Sequence, residues 1–132
     1  MIERRPYADP DVVRLVSEVQ AEYVTRYGGI DAAVVDPAEF APPRGLFLVG
    51  LLDGVPSVTG GWREIEPGLV EIKRMYVVPA ARRRNLARRM LAELESSAAI
   101  ARAVRVVLNT GREQPEAVAL YESSGYESVP GF

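Results

Sequence analysis

Apolar and polar positions alternate with two different periods along this chain, and the changes of period mark its elements. Val12, Leu15, Val16, Val19, Tyr23 and Tyr27 recur at helical spacing, which predicts a helix with one apolar face. Asp9-Pro10-Asp11 opens it: Asp9 suits the N-cap, and Pro10 the first helical position, where a missing N–H costs nothing. Gly28-Gly29 are expected to end it. Residues 2–5 read as a short edge strand. Residues 46–52 are a continuous apolar run, and Asp53-Gly54 supplies a two-residue hairpin turn. The returning strand is expected over 55–65. Pro67-Gly68 makes a second turn, a long strand follows over 69–78, and Pro79 stops it.

Helical periodicity then returns over 84–101, with Leu86, Met90, Leu91, Leu94 and Ala98 on one stripe. Residues 104–108 have the composition of a buried strand. Pro115 starts another helix with Ala117, Leu120 and Tyr121 inward; Gly125 ends it, and a last strand is expected over 126–129. Hairpins followed by a strand–helix–strand crossover predict an α/β fold: a mixed, mostly antiparallel sheet with helices on both faces. The proline-broken stretch over 30–45 reads as a functional rim, with room for one short helical turn.

The 132 residues suit a single domain over 1–132, and 48% hydrophobic with 26% charged residues is an ordinary balance for a globular chain. A formal net charge of −2 gives no global attraction to nucleic acid or an anionic membrane, so neither is expected as a partner. The chain has no histidine and no cysteine, which excludes His-based triads, thiolate nucleophiles and disulfides and argues against a metal site. Met-Ile-Glu-Arg-Arg lacks the apolar run of a signal peptide, and the expected location is cytoplasmic. Catalysis in such a chain falls to carboxylates, tyrosine, backbone amides or water.

Three segments carry chemistry. The first runs from Met75 through Val77, Pro79, Arg82, Arg83, Arg84, Asn85, Leu86, Ala87 and Arg88 to Leu91, a strand, a short loop and an arginine-dense helix start. The first turn of a helix presents N–H groups without intrahelical partners and the positive end of the dipole, which suits a pyrophosphate. The same spacing also fits a solvated basic face. In the second, Asn109 ends a strand, and Pro115-Glu116-Ala117-Val118-Ala119-Leu120-Tyr121-Glu122 leads to Gly125-Tyr126. The third is Glu71-Ile72-Lys73-Arg74-Met75-Tyr76-Val77. Strict alternation puts Glu71, Lys73, Met75 and Val77 on one face and Ile72, Arg74 and Tyr76 on the other. Glu71 is a candidate general base acting through a water; a salt bridge to Lys73 or Arg74 explains it equally well. Glu64 and Glu66 are weaker candidates, and Trp62 fits either the core or a substrate wall.

The first two segments resemble the signatures of the GNAT superfamily of acetyl-CoA-dependent N-acetyltransferases. In Arg/Gln-x-x-Gly-x-Gly/Ala, Arg82 fills the first position and Ala87 the last, while Asn85 stands at the central glycine and Arg83 where glycine is also common. Asparagine tolerates a positive φ, although its side chain crowds an approaching phosphate. The resemblance implies acetyl-CoA as co-substrate, its pyrophosphate at residues 82–88 and its pantetheine arm along Met75 and Val77. Asn109 either bonds the pantetheine amides or caps its turn. The tyrosine matching Tyr121 lies near the thioester sulfur in many members, where it protonates the departing thiolate; a packed aromatic is the alternative. The acceptor implied is a primary amine of a small molecule, amino acid or peptide. A domain that binds CoA or an acylated partner without turnover is the competing reading, favoured by Asn85 and Arg83. The family fold also has a seventh strand after the last one predicted here. The final strand is therefore expected to be missing, or supplied by a neighbouring chain in a homodimer.

Overall fold

The computed structural model describes residues 2–27, 37–82, 84–108 and 120–126, with no side-chain description at 19, 20, 22–27 and 37. The elements are β1 (Ile2–Arg4), α1 (Pro10–Tyr27), β2 (Gly45–Leu52), β3 (Val55–Glu66), β4 (Leu69–Val77), α2 (Leu86–Ile100) and β5 (Arg105–Leu108). Short 3-10 turns occupy Pro37–Phe40 and Pro79–Ala81, and residues 120–123 are helical. The Gly28-Gly29 stop, Ala117, the Pro115 helix start and a last strand beyond Tyr126 lie outside the described residues.

One sheet in the order β1-β2-β3-β4-β5 organises these elements. The first four strands are antiparallel neighbours and β5 joins β4 in parallel. The turns form as the residues dictate: Asp53 and Gly54 take φ 53° and 79°, the pair of positive values a tight hairpin requires. At the start of α1 the Asp9 carboxylate accepts from the Asp11 amide at 2.9 Å, which is N-capping with Pro10 at the first helical position.

Two apolar layers flank the sheet. On one face Met90, Leu91, Leu94 and Ala98 of α2 meet Leu46, Leu48, Val58, Trp62, Val70 and Ile72. Trp62 belongs to this core, 4% exposed, and its indole N–H donates to Ser97 Oγ of α2 at 2.8 Å. On the other face Val12 of α1 packs with Phe40, Phe47 and Val49, and Leu15 with Tyr76.

Strict alternation along β4 fails at Arg74. Lys73 pairs with Gly61 and Tyr76 with Thr59, so Arg74 and Met75 together oppose Gly60, and Arg74 takes φ 60°. This bulge turns the following residues over. Val70, Ile72, Met75 and Val77 all contribute to the α2 side, whereas Glu71, Lys73 and Tyr76 share the α1 side through their partners Arg63, Gly61 and Thr59. The expected common face for Glu71, Lys73, Met75 and Val77 is thereby corrected. The left-handed backbone at a non-glycine residue costs about 1–2 kcal/mol. Thr59 Oγ1 donates to the Arg74 carbonyl at 2.8 Å, and Arg74 Nε donates to the Tyr7 hydroxyl at 3.2 Å. Gly60 leaves the room: a Cβ there would stand 2.8 Å from Leu94 Cδ1 and 3.0 Å from Met75 Sδ.

Candidate active site

The bulge lies past the last described pairing of β4 with its parallel neighbour. The β4–β5 ladder is described as far as Ile72 and Leu108, and β4 itself continues to Val77. Beyond the strand, a cavity of about 250 Å³ is lined by Val77, Ala81, Arg82, Asn85, Leu86, Ala87, Arg88 and Leu120. Val77, Arg82 and the run from Asn85 to Arg88 are thus brought together as their sequence pattern suggests. Ala81 and Leu120 were not anticipated there, since neither carries a chemical signature.

Asn85 sets the geometry of this wall. It takes φ 58° and ψ 22°, the left-handed conformation, and gives α2 no side-chain cap. Asn85 thus offers no side-chain acceptor to the first-turn amides of α2, which stand beside a cavity lined by the same residues. Such amides at the positive end of a helix are a donor set that fits a pyrophosphate. Arg82 folds back, donating from Nε to the Val77 carbonyl at 3.2 Å. Arg88 reaches across to the helical residues opposite: Nη2 donates to Ser123 Oγ at 3.0 Å and Nη1 to Ser124 Oγ at 3.3 Å. Arg84 is exposed just before Asn85. Arg83 and Asn109 lie outside the described residues.

Tyr121 is half-buried and packs against the α2-side core. Its helix ends as Gly125 takes φ 93°. The Tyr126 amide bonds the Tyr121 carbonyl at 3.0 Å and the Gly125 amide the Glu122 carbonyl at 3.1 Å, the paired bonds of a Schellman end. The apolar contact that accompanies this motif is the edge-on pair of Tyr121 and Tyr126, with centroids 6.0 Å apart. The Tyr126 hydroxyl donates to Glu95 Oε2 at 2.7 Å. Burial, then that carboxylate, push the Tyr126 phenol well above its ordinary range.

Glu71 lies on the α1 face, 7% exposed. Its ion-pair partner is neither Lys73 nor Arg74 but Arg63 on β3, whose Nε and Nη2 both reach Glu71 Oε1 at 3.0 Å. Arg63 Nη1 also contacts both oxygens of Glu39 at 3.2 Å, tying the Pro37–Phe40 turn to the sheet. Among the described residues no group takes Glu71 Oε2. Glu64 and Glu66 are exposed at the end of β3. A cavity on one face of β4 and a buried carboxylate on the other can bring two reactants together from opposite sides.

The sequence profile of the acetyltransferase (GNAT) domain matches residues 43–128. An IAA acetyltransferase of Azospirillum brasilense is 32% identical over 116 residues, covering 87% of this chain and 76% of the relative. Among solved structures, a Klebsiella pneumoniae protein assigned as an acyl-CoA N-acyltransferase superposes with a TM-score of 0.84 at 26% identity, over 100% of this chain and 86% of that one. An acetyltransferase of Clostridium acetobutylicum, solved with acetyl-CoA, has the same fold, with a TM-score of 0.72 at 17% identity over 100% and 94% of the two chains. The fold is that of the acyl-CoA N-acyltransferases. The chain belongs to the GNAT acetyltransferase family, enzymes that draw their acyl group from acetyl-CoA. Among the described residues no helix is long and apolar enough to cross a membrane.

Proposed function

We propose that this protein transfers the acetyl group of acetyl-CoA to a primary amine of a small molecule, amino acid or peptide. The observation that carries the reading is the cavity at the α2 N-terminus, lined by Arg82 and Asn85 to Arg88, to which β4 leads through Val77 beyond the Arg74 bulge. The first-turn amides at Leu86, Ala87 and Arg88, the adjoining Arg82 and Arg84, and Arg83 in the same loop hold the pyrophosphate; Asn85 shapes the turn. β4 at Met75 and Val77 takes the pantetheine arm, with Asn109, next after Leu108 in sequence, as a second group for its amides. A backbone N–H beside Met75 receives the developing oxyanion.

The amine arrives from the Glu71 side as an ammonium and loses a proton through water to Glu71. Its nitrogen then attacks the thioester carbonyl; a C–N bond forms, the C–S bond breaks, Tyr121 gives its proton to the leaving thiolate, and the proton the nitrogen sheds on becoming the amide returns through water to the Tyr121 phenolate. A phenol near pKa 10 and a thiol near 8.5 allow that transfer without a large penalty. The nucleophile belongs to the acceptor, so no covalent enzyme intermediate is needed, and positioning supplies much of the rate. The test is free-thiol release from acetyl-CoA across a panel of amines, with Tyr121→Phe beside the parent protein. Thiol release should depend on the amine, and the variant should lose roughly ten- to ten-thousand-fold in kcat with acetyl-CoA affinity retained. Tight acetyl-CoA binding with no amine-dependent release would favour a binding domain instead.

A further inference from the structure

Residues 120–126 are held to α2 by two polar tethers, and both start from one face of that helix. Arg88 and Glu95 stand two turns apart on α2, so their side chains project in nearly the same direction. Arg88 reaches Ser123 and Ser124 at 3.0 and 3.3 Å; Glu95 reaches the Tyr126 hydroxyl at 2.7 Å. The Tyr121 ring lies against Tyr126 and just before the two serines in sequence. We propose that Arg88 and Glu95 are positioning residues that fix Tyr121 for the chemical step, a role beyond the assignment of Arg88 to the pyrophosphate wall. The inference rests on the reading of Tyr121 as the acid.

The chemistry at each tether supports this. Ser123 Oγ donates to the Leu120 carbonyl at 2.9 Å, so the serine accepts from Arg88 while closing its own helical turn. The Ser124 amide bonds the Leu120 and Tyr121 carbonyls at 3.1 Å. This is the negative end of the short helix, where a guanidinium is favourable, and its planar fork suits two adjacent hydroxyls. Arg88 and Leu120 both line the cavity, and the Arg88 bonds to Ser123 and Ser124 join the two elements that carry them. Glu95 works farther along α2: with the Tyr126 hydroxyl bonded, the Tyr126 ring can back the Tyr121 ring in one orientation only.

The experiment removes the tethers without touching α2 or Tyr121, using the Ser123→Ala/Ser124→Ala double variant and, separately, Tyr126→Phe. Each should lower kcat by roughly three- to thirtyfold, less than the hundredfold that a 1 Å misplacement can cost, with KM for acetyl-CoA within about twofold of the parent. In a Tyr121→Phe background the same substitutions should have no further effect on kcat, because the hydroxyl they position is gone. Unchanged kcat in both tether variants, or an undiminished loss in the Tyr121→Phe background, overturns the proposal. If Tyr121→Phe itself turns over normally, the acid assignment fails and the tether role falls with it. That result is distinguishable from an impaired Tyr121→Phe with neutral tethers, which sinks the tether role alone.

Discussion

Replacing Arg63 by methionine should expose how much of this sheet depends on one guanidinium. Arg63 and Glu71 have side chains 18% and 10% accessible, and the Arg63 side is shared with Glu39, whose side chain is 42% accessible. Arg63→Met keeps the length of the side chain and removes its charge, leaving the Glu71 carboxylate buried without its partner. Breaking a buried pair in this way costs about 3–5 kcal/mol. The remaining access of Glu71 to water argues for the lower end, about 3 kcal/mol, or roughly 10 °C in Tm for a chain of this size. Replacing both members, Arg63→Met with Glu71→Met, should recover most of the loss, because two apolar side chains leave no uncompensated charge. Glu39 then loses its contact with Arg63 as well, but at its exposure that costs less than about 1 kcal/mol. Urea melts can follow Trp62, the single tryptophan, buried in the core between sheet and α2. A single variant within about 1 kcal/mol of the parent, or a double variant as unstable as the single, would refute the argument that Arg63 compensates a buried carboxylate.

Asn85→Gly should bind acetyl-CoA about two- to fivefold more tightly by calorimetry, a change of under 1 kcal/mol, because glycine adopts φ 58° without a Cβ beside the phosphate; weaker binding would mean that the Asn85 side chain makes a contact of its own. Tyr126→Phe should be about 1–2 kcal/mol less stable at neutral pH through loss of the bond to Glu95, yet less sensitive to alkali. The folded Tyr126 phenol is raised, so its contribution is intact below the unfolded value near pH 10 and is lost as pH rises beyond it, at up to about 1.4 kcal/mol per unit. Melting temperatures of parent and variant should therefore converge between about pH 10 and 11, and parallel curves would show that Tyr126 ionises as readily in the fold as outside it.

The described strands, turns and helices were legible because each is specified locally: Asp9-Pro10, Asp53-Gly54 and Gly125 define turns and ends by backbone requirement, and the α2 stripe by period. The grouping of Arg82 with Asn85 to Arg88 around one cavity was legible for the same reason, as they belong to one contiguous stretch of sequence. What stayed hidden depends on register. Continued without interruption from the turn at Pro67-Gly68, the β3–β4 ladder would have set Glu64 opposite Glu71, carboxylate against carboxylate. The irregularity between Glu64 and Glu66 shifts the ladder by one residue and brings Arg63 there instead. A second irregularity, at Arg74, restores the first register. Between the two lie Glu71 and Lys73, whose charges face the α1 side; beyond the second, Met75 and Val77 face α2. Neither bulge has a glycine or proline to announce it: Ile65 and Arg74 are ordinary strand residues, and the space for the second is made by Gly60 on the other strand. The pair of bulges therefore separates the carboxylate that would take a proton from the stretch of β4 that would hold the thioester, placing them on opposite faces of β4 within a few residues of one another. On the proposed reading, an acceptor entering on the Glu71 side would meet the acyl group at β4 without passing through the cavity at the α2 N-terminus, an arrangement that period-two alternation would have forbidden.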